Sequence, residues 1–68
     1  MRYFVNVSSN EVILREDQEG SSDLYRACGQ AALLASELAE AGAAMINMPL
    51  AIEVINSAGE IVFRLPVQ

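Results

Sequence analysis

Residues 22–42, SDLYRACGQAALLASELAEAG, are the one stretch long and periodic enough to make a long helix. Leu24, Ala27, Cys28, Ala31, Leu34, Ala35, Leu38 and Ala41 recur at i, i+3, i+4 and i+7, the spacing of one helical face turned to a core. Ser21, Ser22 and Asp23 can each accept a hydrogen bond from the orphan N–H groups of a first turn. Gly42 tolerates the left-handed conformation that follows a last turn. Adding Tyr25, Ala32 and Ala39 widens the apolar arc to roughly 200°, broader than one sheet needs. Most of that arc is alanine, which lets another backbone come close, and the Ala32–Ala39 flank beside Tyr25 is expected to be covered.

The flanking segments carry the period of strands. Residues 2–7 are β-branched and aromatic and read as a strand, residues 8–11 (SSNE) as a turn, and residues 12–15 as the return strand. Pairing Val7 with Val12 sets Tyr3, Val5, Val7, Val12 and Leu14 on one face. Residues 16–21 are polar and lead into the helix. After it, residues 43–48 read as a further helical turn or a packed connector, and Pro49 bars a helix from running on. Residues 50–55 and 60–67 are two more strands around the loop NSAG, with Gly59 placed for positive φ. Pairing Ile55 with Glu60 sets Leu50, Ile52, Val54, Ile61, Phe63 and Leu65 on one face, and Pro66 suits an edge. Two hairpins, each with an apolar face, and a single helix to cover both predict an α+β fold. Its architecture is a two-layer β-β-α-β-β sandwich, one long helix packed on an antiparallel four-stranded sheet. The strand order stays open.

With 68 residues there is room for one domain, spanning 1–68, and a core this small is marginal without help. One cysteine and no histidine exclude an internal disulfide and a Cys/His zinc site. A hydrophobic share of 53% then favours self-association. The net charge of −5 repels phosphate backbones and anionic lipid, so neither nucleic acid nor membrane is an expected partner. No leader peptide is evident, and one cysteine suits the cytoplasm.

RYF at 2–4, the acidic loop ending in Glu19-Gly20, DLxxA from Asp23, the Ala-rich helix ending ELAE, IEV at 52–54, Gly59 and LPV at 65–67 occur in an order that resembles a family of small bacterial proteins. That family is classed as a domain of unknown function, and the resemblance covers nearly the whole chain. It departs from the pattern at SSN in the first turn, at Asn6 and Ser57, and in its apolar GAAMINMP connector. The resemblance implies the fold and brings no activity with it. A more distant likeness is to antitoxin-type domains that begin with an RY strand but place three strands before the helix.

Chemistry-bearing constellations are sparse. Glu16, Asp17 and Glu19 with Asp23 lack the ligand spacing of a calcium loop and are expected to cap and charge the helix N-terminus. Glu37 and Glu40 lie exposed on the outer side of the helix. Cys28 has no histidine to activate it and reads as a buried small hydrophobe. No catalytic residue, cofactor or metal is expected. Two surfaces stand out instead. The sheet face away from the helix is expected to carry Arg2, Phe4, Asn6, Ile13, Arg15, Val62 and Arg64, with cross-strand pairs Phe4–Arg15 and Glu53–Arg64. Leu33 should be exposed on the helix, near the connector residues Met45, Ile46 and Met48. Phe4, Ile13, Val62, Leu33, Met45, Ile46 and Met48 are therefore the expected contact residues of a non-catalytic interaction module. Its partner is a second copy, with a dimer favoured, or a larger protein. The alternative is an antitoxin-like or RNA-contacting regulator using Arg2, Arg15 and Arg64 around Phe4.

Overall fold

The computed structural model describes residues 1–42 and 49–67. Strands β1 (Tyr3–Ser9) and β2 (Val12–Arg15) precede helix α1 (Leu24–Glu40), and β3 (Leu50–Asn56) and β4 (Ile61–Pro66) follow it. All strand pairs are antiparallel and the order is β2-β1-β3-β4, so β1 and β3 form the centre. The expected α+β architecture of one helix on a four-stranded sheet is what the chain adopts. The expected reading of residues 43–48 falls outside the described residues.

α1 begins where its cap chemistry says it should. Asp23 is the N-cap, and its Oδ1 accepts from the N–H of Tyr25 at 3.0 Å and of Arg26 at 3.5 Å. The helix closes with Ala41 N–H donating to Glu37 O, and Gly42 turns the chain away at φ 85°. Ala27, Ala31 and Ala35 are its buried residues. They meet Val7, Ile52 and Val54, and Leu24, Leu34, Leu38, Val5, Phe63 and Leu65 pack around that centre. Ile52 and Val54 are fully buried, and each such side chain contributes about 1.5–3 kcal/mol. Tyr25, expected to widen the core face, is instead 88% exposed. At 100° per residue it lies a third of a turn from the centre of the alanine stripe, beyond the reach of a flat sheet. Cys28 is half-buried rather than buried.

Both hairpin registers differ from expectation. Ser8 and Ser9 are not a turn: they extend β1, are buried, and pair with Ala51 and Leu50 of β3. The turn is Asn10-Glu11 alone, with φ 50° and 68°, the two-residue geometry whose twist matches the flanking strands. Val12 therefore pairs with Ser9, Ile13 with Ser8, and Arg15 with Val7, with Leu14 as the extra residue of a bulge. This sends Arg15 to the helix side of the sheet. In the second hairpin Val54 pairs with Phe63 and Ile52 with Leu65, two residues on from the expected register, and a bulge at Val62 sets Ile61 against Ile55. Ile61 thus leaves the core face for the opposite one. Gains from seven paired positions between β1 and β3 decide where β1 ends, and neither hairpin sequence contains that information.

The small side chains on α1 set the distance between the two layers. Ala31→Leu is expected to destabilise the fold by about 1–3 kcal/mol through overpacking, although leucine is nearly as good a helix former as alanine and adds apolar surface. Urea unfolding of the two proteins checks it; an unchanged or higher midpoint would show that the layers have room to spare.

Candidate interaction surface

β2 is too short to accompany β1 along its whole length. It covers Val7 to Ser9 and leaves the edge of β1 from Tyr3 to Val5 without a strand partner. Residues 16–21 fill that edge. Tyr3 and Ser21 exchange two backbone hydrogen bonds of 2.7 Å. Further along, the Asp17 carboxylate takes the place of a strand carbonyl. Its Oδ2 accepts from Val5 N–H at 3.1 Å, and its Oδ1 accepts from Glu19 and Gly20 N–H at 3.2 Å each. The Asp17 N–H donates in turn to Asn6 Oδ1 at 3.0 Å, and Asn6 is only 1% exposed. Burial raises the pKa of Asp17, but the N–H donors of Val5, Gly20 and Glu19 and the nearby Arg2 guanidinium outweigh it, so the net shift is below the ordinary carboxylate value. The acidic loop was expected to charge the helix N-terminus. Only Asp23 does so; Asp17 serves the sheet edge.

This loop also covers the aromatic on the face away from the helix. Gly20 stands at φ 74°, and a Cβ there would come within 2.8 Å of Phe4 Cε1 and 2.9 Å of Tyr3 O. Phe4 is half-buried beneath it. Arg2 is held at the same corner: its Nε donates to Glu19 O at 2.7 Å, and its backbone N–H donates to Ser57 Oγ at 3.0 Å. A cleft of about 230 Å³ opens between Phe4, Asn6, Asp17 and the second hairpin loop. Arg64 remains on this face and forms the expected cross-strand ion pair with Glu53, at 3.5 Å. The pair Phe4–Arg15 does not form, because the Leu14 bulge places Arg15 on the other face. The expected arginine–aromatic platform is thus taken apart: Arg15 is across the sheet, Phe4 is covered, and Arg2 and Arg64 are engaged.

What remains open is aliphatic. Val12, Ile13 and Leu14 are 60%, 51% and 50% exposed, so every apolar side chain of β2 faces solvent. α1 packs on β3, β1 and β4, and β2 lies at the margin of its footprint. Ile61 and Val62 are exposed on the other outer strand, and Leu33 is exposed on the helix as expected. Of the expected contact residues, Ile13, Val62 and Leu33 are therefore accessible, while Phe4 lies under Gly20. They do not form one patch: Ile13 and Val62 sit on opposite edges of the sheet and Leu33 on the outer side of the helix. Met45, Ile46 and Met48 lie outside the described residues. Val12 and Leu14 were assigned to the core in the sequence; the period-2 alternation cannot reveal that the strand lies at the edge of the helix's reach. Among the described residues no group of three acidic, Cys or His side chains is placed to hold a metal ion, and no helix is long and apolar enough to cross a membrane.

A family model described as a domain of unknown function matches residues 2–68, which bears out the resemblance carried by the RYF start, the DLxxA helix and the LPV end. No curated protein and no solved structure matches the chain.

Because the folded-state pKa of Asp17 is depressed, its contribution to stability is complete above the carboxyl's unfolded-state pKa. It is lost as the pH falls through the folded-state value. Asp17→Ala is expected to cost about 1–3 kcal/mol at neutral pH, by leaving the Val5 N–H at a part-buried edge without a partner. The variant should also lose part of the acid-side decline in stability. Thermal melts of both proteins from neutral pH to below pH 4 check this; parallel curves would remove Asp17 from the account.

Proposed function

The chain belongs to DUF6894, a family of domains of unknown function, and from that premise we propose that it is a non-catalytic interaction module that self-associates. The observation that carries this reading is the run Val12, Ile13, Leu14, three successive aliphatic side chains each half or more exposed on one edge strand. Single exposed apolar residues are ordinary, but a contiguous run on a small domain that is short of core is not. A partner that covers it supplies burial that the 68-residue chain cannot supply alone. The reading places the module in the cytoplasm, in keeping with the single, unpaired Cys28.

The RNA-contacting alternative requires Arg2, Phe4, Arg15 and Arg64 to share one accessible face. Arg15 stands on the helix side, and the Glu19 carbonyl, the Gly20 backbone and the Glu53 carboxylate engage Arg2, Phe4 and Arg64. Self-association is the better supported of the two.

Light scattering at micromolar concentration is expected to give a mass of at least two chains. Ile13→Asp should return it to one chain with the helical circular-dichroism signal retained. A wild-type chain that stays monomeric throughout overturns the reading.

A further inference from the structure

We propose that two copies join edge to edge through β2, antiparallel about a two-fold axis at Ile13, to make one continuous eight-stranded sheet from the four strands of each. The inference rests on the self-association reading and names the surface and the partner: a second copy of this chain.

The two edges of the sheet are not equivalent. Successive residues of an antiparallel strand point their N–H and C=O groups to opposite sides. Val67 N–H donates to Leu50 O, so Pro66 falls at an outward-facing position of β4, where it has no N–H to offer. A proline so placed blunts an edge. β2 has no such guard. Its two-residue turn closes on the Ser9–Val12 pair, which directs the polar groups of Val12 toward β1 and those of Ile13 outward. Ile13 therefore offers one free N–H and one free C=O, and a two-fold axis there lets two copies exchange both. The bulge at Leu14 ends the pairing beyond it and keeps the joint short.

The aliphatic side chains of β2 match this arrangement. Antiparallel pairing centred on Ile13 sets Val12 against Leu14 of the second copy, twice by symmetry. The joint also brings Val12, Ile13 and Leu14 of the two copies against each other, the run that the single chain leaves exposed.

Removing the outward N–H tests the joint. Ile13→Pro takes away that donor and leaves the Ser9–Val12 pair to β1 in place, so it should weaken self-association roughly tenfold. Ile13→Val, which keeps the N–H and an aliphatic side chain, should stay near the wild-type value, by sedimentation equilibrium, with circular dichroism confirming the fold of each protein. Independently, in a Cys28→Ala background, Ile13→Cys should give an interchain disulfide on mild oxidation, since directly opposed hydrogen-bonded residues stand about 5.5 Å apart, within disulfide reach. Ile61→Cys in the same background should not. A chain that self-associates with no response to Ile13→Pro and no Ile13→Cys cross-link overturns the joint at β2 and leaves the self-association reading in place. A monomeric wild-type chain overturns both.

Discussion

Contact between the alanine stripe of α1 and the paired centre of β1 and β3 is what the remainder of the structure depends on. Ala27, Ala31 and Ala35 have almost no side chain to hold the layers apart, so Val7, Ile52 and Val54 lie directly beneath the helix backbone. Close packing of this kind gains dispersion contacts over a small area, which a chain of this length needs. It also fixes where the helix sits. The alanine stripe settles on the most apolar strand, β3, and its flanks reach β1 and β4. β2 is left at the margin.

Two consequences follow from that placement. The first is that β2 stays short and bears its aliphatic side chains outward, since nothing in the described part of the chain covers them. The second is that the first half of β1 would have an open edge, and residues 16–21 close it. One carboxylate replaces a length of strand there. Asp17 receives three backbone N–H groups, and the ionised carboxylate gains more from those donors and from Arg2 than it loses to burial. The same loop lays Gly20 over Phe4, so the most conspicuous side chain of the open face is occupied within the fold.

The two edges of the sheet reflect the same economy of length. β4 ends in a proline whose missing N–H faces outward, and its bulge at Val62 turns Ile61 away from the core. β2 is guarded by brevity and by the bulge at Leu14 alone. The sheet is thus left with one edge open at Ile13 and the other blunted at Pro66.

Element types and their order were legible in the sequence because they rest on local chemistry. The 3.6-residue alanine period, the Asp23 cap and the Gly42 stop define α1, and β-branched alternation around two polar turns defines the strands. The Glu53–Arg64 pair was legible for the same reason, since both registers of that hairpin keep it within reach. The candidate site was legible only in part. Ile13, Val62 and Leu33 stand exposed, whereas Phe4 and Arg15 were assigned from a hairpin treated in isolation. Only the tertiary structure decided the strand order, the extension of β1 through Ser8 and Ser9, the two bulges, and the role of Asp17. These depend on β1 pairing with β3 across the forty residues of chain that lie between the two strands. The energy of a seven-residue ladder between two central strands exceeds the preference of two serines for a turn, and no local pattern in either hairpin records that competition.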